Sequence, residues 1–309
     1  MPELRDMLGG SVAETFLGLP EGGPGADIVL FGADCATPYA AVGPYCAGGA
    51  AAIRAGSADY AGALDRVNFD LGGPILPPGV AAVDAGDLRV DAADAPRNRL
   101  AIFDMTAEIL AGGGVPVLLG GDDSLPIPML EAYAPYGPVT ILQIDAHIDW
   151  RDDVQGERWG LSSTMRRASE MAHVERIVQV GARGVGSAGM DDLRAAQDWG
   201  AHLIAAYEME SGGAARAVGL IPEGGRVVVC FDCDALDPAI MPAVIAPTAG
   251  GLGYGQVLAL LCDVASRAQI VGVDMVEFMP DADRDGIGAR TAAQVLTSIL
   301  GLIGRQRDA

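Results

Sequence analysis

Short runs of consecutive apolar residues recur along the chain, separated by stretches in which apolar residues return every three or four positions. The continuous runs predict strands at residues 27–32, 115–119, 139–144, 176–180, 202–205, 227–231 and 270–274. The longer periodic stretches predict helices at 98–110, 163–171, 191–199, 212–218, 254–266 and 291–303. Strands and helices alternate, which predicts an α/β protein: a three-layer α/β/α arrangement around a mainly parallel sheet. The strands are apolar throughout rather than at every second residue, so helices should cover both faces. Residues 70–96 are rich in Gly, Pro, Asp and Ala and read as a long irregular connection. No repeat, heptad array or break in composition divides the chain, and one domain over residues 1–309 is expected.

Three of these apolar runs end in carboxylates. Residues 115–119 lead into Gly120-Gly121-Asp122-Asp123-Ser124, and 139–144 into Asp145-Ala146-His147-Ile148-Asp149. The third, 226–231, leads into Asp232-Cys233-Asp234-Ala235-Leu236-Asp237-Pro238. Side chains alternate along an extended strand, so Asp145, His147 and Asp149 are expected to project together, as are Asp232 and Asp234. So many carboxylates at strand ends repel one another unless cations neutralise them. An oxygen-rich set with one imidazole suits a hard or borderline divalent ion such as Mn2+. Parallel sheets bind ligands beyond the carboxyl ends of their strands, where all three bursts fall. A two-metal enzyme site is the first expectation.

Composition narrows the partners. The chain is 50% hydrophobic, contains 43 glycines and carries a formal charge of −21 without a single lysine. That is apolar enough for a buried sheet and too apolar for disorder. The lack of lysine excludes Schiff-base chemistry and a lysine-bearing phosphate loop. Strong acidity argues against nucleic acid and favours a cationic substrate. No uninterrupted apolar run reaches the roughly 18–20 residues that span a bilayer. The first residues lack the basic and apolar segments of a signal peptide, so a cytoplasmic location without membrane attachment is expected. Cys35, Cys46, Cys230, Cys233 and Cys262 make no paired zinc pattern and read as small buried thiols.

In order and spacing the acidic motifs resemble the ureohydrolase family of arginases, agmatinases and guanidino-acid hydrolases. The family signatures GGDHS, DAHxD and SxDxDxxDPxxxP read here as GGDDS at 120–124, DAHID at 145–149 and CFDCDALDPAIMP at 230–242. Gly-Gly-Ala-Ala-Ala-Ile-Arg at 48–54, Asp84-Ala-Gly-Asp87, Gly250-Gly251-Leu252 and Val273-Asp274-Met275-Val276-Glu277 extend the similarity over nearly the whole chain. The resemblance implies an arginase-like fold and hydrolysis of a guanidino C–N bond to urea and an amine. It also implies two divalent metal ions, with Mn2+ expected and Ni2+ the second candidate. One would be held by Asp123, Asp145, Asp149 and Asp232. The other would be held by Asp145, His147, Asp232 and Asp234, so that Asp145 and Asp232 bridge the pair. Glu277 would accept hydrogen bonds from the guanidinium, and Asp149 would carry the proton of the attacking water to the leaving amine. Asp122 and Asp237-Pro238 look like turn or supporting elements. Self-association as a trimer or hexamer is common in the family and is expected by the same likeness.

Four departures bear on the substrate. Asp123 stands where the family carries a histidine ligand, and Leu161 where it carries a histidine near the substrate. Ala243-Val244-Ile245-Ala246-Pro247 replaces a small polar run, and Cys230 a serine. Trp150, Arg151, Asp152 and Trp159 lie on the loop expected to cover the site, with Trp150 as an aromatic wall for a cationic group. Leu161, Val244 and Ile245 make the expected pocket more apolar, which favours a small or alkyl-substituted guanidine or a biguanide. Agmatine-like compounds stay open, because Arg151 or Arg158 offers a partner for a carboxylate and Asp152 one for an amine. The competing reading is a catalytically silent paralogue serving as a structural or regulatory subunit of a hetero-oligomer. Asp123 and Leu161 point that way; the otherwise intact ligand set does not. Deacetylation on the same fold is disfavoured, since such sites carry adjacent histidines and no two of the three here adjoin.

Overall fold

The computed structural model describes residues 14–35, 39, 42–62 and 64–308. In chain order its elements are β1 (Ile28–Ala33), α1 (Gly49–Gly56), β2 (Val67–Asn68), β3 (Gly73–Pro74), β4 (Ala82–Asp87), α2 (Ala95–Ala111), β5 (Val115–Gly120) and α3 (Pro126–Glu131). There follow β6 (Val139–Ile144), α4 (Thr164–Ser169), β7 (Val174–Val180), α5 (Met190–Trp199), β8 (His202–Ile204) and α6 (Gly213–Leu220). The chain closes with β9 (Arg226–Asp232), α7 (Tyr254–Arg267), β10 (Gln269–Val276) and α8 (Ile287–Asp308).

Apolar strands bury their backbone amides and carbonyls, and lateral pairing satisfies them. Eight strands pair in the order β4-β1-β5-β10-β9-β6-β7-β8, every neighbour parallel. β2 and β3 form a separate antiparallel pair. Alternation along each strand feeds two cores. Ile28 and Leu30 of β1, with Val227 and Val229 of β9, face the layer of α1, α6, α7 and α8. Val29 and Phe31, with Val228 and Cys230, face the layer of α2 to α5. The predicted three-layer arrangement and mainly parallel sheet are found, with element ends moved by a few residues.

The stretch 70–96 is not the irregular connection expected, because it contains β4, which pairs with β1. Its sequence, AVDAGD, has no continuous apolar run, since it lies at the sheet edge and is only half buried. Two helices also escaped prediction. α1 is mostly Ala and Gly, and α3 holds Pro126 and Pro128 in its first turn, where a missing N–H costs nothing. α8 is long and apolar enough, by length and composition, to cross a bilayer, although no uninterrupted apolar run was found in the sequence. Seventy-eight per cent of its apolar window is buried inside the protein, as befits a core helix.

One ion pair ties the edge strand to the helix layer. Arg54 of α1 donates to Asp84 from Nε at 2.8 Å and Nη2 at 3.0 Å, and to Asp87 from Nη1 at 2.6 Å. Arg54 is 6% exposed and Asp84 1%, and Asp84 also accepts the Phe16 N–H at 2.9 Å. Replacing Arg54 with Met would leave Asp84 charged and buried without its partner. The expected loss is about 3–5 kcal/mol in chemical denaturation, and a loss below about 1 kcal/mol would mean that Asp84 is held by its backbone donors alone.

Candidate metal centre

The ends of β5, β10, β9 and β6 are consecutive in the sheet, so the three acidic bursts and Glu277 meet at one edge. Two groups of ligand atoms form there. Asp145, His147 and Asp234 make one, and Asp123, Asp145 and Asp149 the other, with the atoms of each group within 4.8 Å of one another. Asp145 belongs to both. These carboxylates are buried, and His147 keeps about a quarter of its side chain exposed.

Local backbone turns create this grouping. β6 stops at Ile144, so Asp145, His147 and Asp149 are brought together by the turns that follow the strand rather than by strand alternation. Asp149 adopts φ +50°, a left-handed conformation uncommon for a non-glycine residue. It is held there by the Arg166 N–H donating to its carbonyl at 3.0 Å. After β9 the chain turns at Cys233–Ala235, and the Asp234 N–H donates back to Asp232 Oδ1 at 2.6 Å. Asp234 joins His147, whereas Asp232, predicted to bridge, is gathered into neither group. Gly121 is required by close approach: a Cβ there would lie 1.7 Å from the Cys35 carbonyl oxygen. Its own carbonyl accepts the Glu277 N–H at 2.9 Å.

Charge crowding dominates the electrostatics. Burial, then Asp149 and Asp145, pushes Asp123 well above the usual carboxylate range. Burial and Asp145 do the same to Asp149, and burial and Asp234 to Asp232. For Asp145 burial is outweighed by hydrogen bonds to His147 and Asp149, and it is held low. Hydrogen bonds to Asp145 and Asp234 push His147 up to about 11. Asp123 Oδ2 is buried without a hydrogen-bond partner among the described residues. An orphaned carboxylate oxygen within reach of Asp145 and Asp149 fits a divalent cation held by oxygens. The Asp145–His147–Asp234 group fits a second, borderline cation.

Glu277 sits beside this pair at φ +65° and is 5% exposed. Its Oε1 accepts the Asp123 N–H at 2.9 Å, and both oxygens are reached by the Tyr45 hydroxyl, at 2.8 and 2.7 Å. Burial and the nearby Asp122 push it up to about 8. Deeper in β10, Asp274 is fully buried, and burial, which outweighs donors from the Cys230 thiol and the Phe231 backbone, pushes it up to about 7.

Several predicted substrate contacts lie elsewhere. Trp150 is not an aromatic wall: it is 1% exposed, donates from Nε1 to Gln179 at 2.8 Å and packs 6.1 Å from Trp199. The turn at Asp149 sends the next side chain inward. Arg151 donates to the Ser187 carbonyl, and Asp152 pairs with Arg167 at 2.7 Å. Arg158 pairs with Glu170 at 3.2 Å, so none of these three charges stands unengaged. Trp159 lies on the surface under Arg99, 5.2 Å from its ring. Val244 is packed in the core and Ile245 is exposed, while Leu161 is half buried before α4. Instead, a cavity of about 800 Å3 opens beside His147, walled by residues such as Ala182, Gly186, Ala188, Met190 and Tyr207. Leu161, Val244 and Ile245 do not line it. Its one arginine, Arg183, donates to the carbonyls of Asp234 at 2.6 Å, Thr248 at 3.0 Å and Ala235 at 3.2 Å, pinning the turn that presents Asp234. Asp237 acts as the turn element expected, accepting the Gly250 and Gly251 N–H groups at 3.1 Å.

Tyr45, Gln143, Gln179 and Arg183 were not singled out from the sequence. For Gln143 there is a signal: an amide inside a mostly apolar strand, two residues before Asp145 and so on the same face. Tyr45 gave none, because a loop residue after β1 carries no periodicity that points at Glu277.

A sequence model of the arginase family matches residues 26–301. The chain is 31% identical over 223 residues to the human mitochondrial guanidino acid hydrolase, covering 70% of this chain and 63% of that protein. It is 35% identical over 198 residues to N(1)-aminopropylagmatine ureohydrolase of Thermus thermophilus, covering 64% of this chain and 65% of that protein. The chain thus spans just under two thirds of the length of either relative. Among solved structures, proclavaminate amidino hydrolase of Streptomyces clavuligerus superposes with a TM-score of 0.84 at 28% identity, covering 96% of this chain and 98% of the other.

The pKa directions set a pH dependence. A carboxyl raised by folding favours the fold below its ordinary value, 3.8 for Asp and 4.5 for Glu, and that contribution is lost as pH climbs through about 7 for Asp274 and about 8 for Glu277. Asp123, Asp149 and Asp232 share this sign, as does His147 towards about 11; Asp145 opposes it. Cations that neutralise the ionised cluster should therefore stabilise most at high pH. Thermal unfolding in EDTA should give a midpoint that falls from pH 5 to pH 8, with the gain on adding Mn2+ largest at pH 8. A midpoint in EDTA that rises over this range, or a Mn2+ gain independent of pH, would contradict the assignment.

Proposed function

The chain belongs to the arginase family, and we propose that it is a two-metal hydrolase that cleaves a guanidino C–N bond, converting a guanidinium and water to urea and an amine. The observation that carries this reading is the sharing of Asp145 between two adjacent ligand groups with the buried carboxylate of Glu277 beside them. Mn2+ is the proposed ion at both sites, with Ni2+ as the alternative. Held there, the cations would supply Lewis-acid charge that makes water ionisable near neutral pH. The protein's own groups do the rest. Glu277, fixed by Tyr45 and the Asp123 N–H, would take the guanidinium through paired charge-assisted hydrogen bonds and hold its carbon towards the metal pair. Asp149 would accept the proton that water gives up and return it to the departing nitrogen, which leaves as the amine.

The substrate is proposed to be a small or alkyl-bearing guanidine or biguanide rather than an amino acid. The support is the cavity beside His147: its walls are mainly Ala and Gly, and its arginine is spent on backbone carbonyls. A distant ammonium or carboxylate would find no uncommitted charge there, an unfavourable exchange for a group leaving water. A silent subunit is disfavoured, because Asp123 stands with Asp145 and Asp149 rather than apart from them.

Urea release from guanidine, N,N-dimethylguanidine, agmatine, guanidinobutyrate and arginine would test this directly. The expected order of kcat/KM puts the compact guanidines first; arginine ahead by tenfold or more, about 1.4 kcal/mol, would overturn the apolar-cavity argument. Glu277→Gln should lower kcat/KM at least about tenfold, the worth of a charge-assisted hydrogen bond, without changing metal content. Loss of metal with that substitution would make Glu277 a ligand instead.

A further inference from the structure

Beneath the paired sites runs a line of buried side chains that the proposed reaction does not use. Trp150, Gln179 and Gln143 are each 1% exposed. Gln143 and Gln179 face each other in register across β6 and β7. The Trp150 Nε1–H donates to Gln179 Oε1 at 2.8 Å. Gln179 Nε2 in turn donates to the Ile148 carbonyl at 2.8 Å and to Gln143 Oε1. Gln143 Nε2 then donates to Asp145 Oδ2 at 2.6 Å and to Asp149 Oδ2 at 2.5 Å.

The polarity of this line is set at its far end. An indole nitrogen can only donate. Gln179 must therefore turn its carbonyl to Trp150 and its amide hydrogens to Gln143. Gln143 must then turn its own carbonyl to Gln179 and both amide hydrogens to the carboxylates. A reversed Gln143 would press its oxygen against two acceptors in a low-dielectric interior, a costly arrangement. The geometry points to Trp150–Gln179–Gln143 as a positioning relay that grips one oxygen of Asp145 and one of Asp149, fixing how both carboxylates face the cation sites. Asp145 is the group common to both sites, so the relay acts on both at once. Trp150 and Gln179 touch neither carboxylate and are positioning residues: they act through Gln143, and Gln179 also holds the Ile148 carbonyl beside Asp149.

This inference rests on the two-metal reading, and the test separates the two. Mn2+ dissociation constants would be measured from the EPR lines of free Mn2+ for the intact chain and for Gln143→Met, Gln179→Met and Trp150→Phe, with thermal midpoints taken in EDTA. Gln143→Met keeps the volume and removes the donor, and should weaken Mn2+ binding about 10–100-fold. Gln179→Met and Trp150→Phe touch neither carboxylate, yet each should weaken it about tenfold by freeing Gln143 to turn. Trp150→Phe keeps a ring against Trp199, so one of the two remains interpretable if the other folds poorly. Lower midpoints with Mn2+ affinity within twofold of the original would reduce the line to core packing and overturn the relay. An original chain that takes up neither Mn2+ nor Ni2+ would instead sink the metal reading, and the relay with it.

Discussion

Buried like charge is the constraint on which the rest of this molecule turns. Asp123, Asp145, Asp149, Asp232, Asp234 and Glu277 are all buried at one sheet edge, with His147 the one imidazole among them. Coulomb repulsion at such separations is too large to leave uncompensated in a poorly solvated interior. Protons can relieve it, as the raised pKa values of Asp123, Asp149 and Asp232 indicate. Divalent cations held by these oxygens would relieve it better. The positive-φ backbones of Asp149 and Glu277 fall at this same edge, where surrounding hydrogen bonds can hold a conformation the residues would not choose alone.

The sheet order makes the crowding unavoidable. β5 and β10, like β9 and β6, are neighbours although far apart in sequence, and a parallel sheet sends every strand's carboxyl end to the same side. Helices on both faces exclude water from below, which is why the supporting polar groups must satisfy one another. Arg183 spends its guanidinium on carbonyls around Asp234, and Gln143 spends its amide on Asp145 and Asp149. The cavity beside His147 is left with little charge of its own.

Much of this was legible in the sequence, for a physical reason. Central strands of a parallel sheet are continuous apolar runs, so seven of the eight sheet strands stood out, and acidic residues at their ends marked the site. The edge strand Ala82–Asp87 did not stand out, because its Asp84 and Asp87, both paired with Arg54, interrupt the apolar pattern. Reasoning from alternation failed once the strands ended. It took Asp232 and Asp234 to act alike, whereas after the turn at Cys233–Ala235 only Asp234 is grouped with His147. Trp150, expected over the site from its place on the covering loop, instead lies in the core. Contacts made by loops, such as Tyr45 on Glu277, depend on the folded path of the chain and leave no periodic trace.

The claim that Asp145 is shared between two adjacent cations is tested most directly by the EPR spectrum of the protein loaded with two equivalents of Mn2+. Two ions joined by a common carboxylate should give an exchange-coupled signal, with little of the six-line pattern of isolated Mn2+. Two bound ions with uncoupled six-line spectra, or saturation at one ion per chain, would contradict a centre built around Asp145.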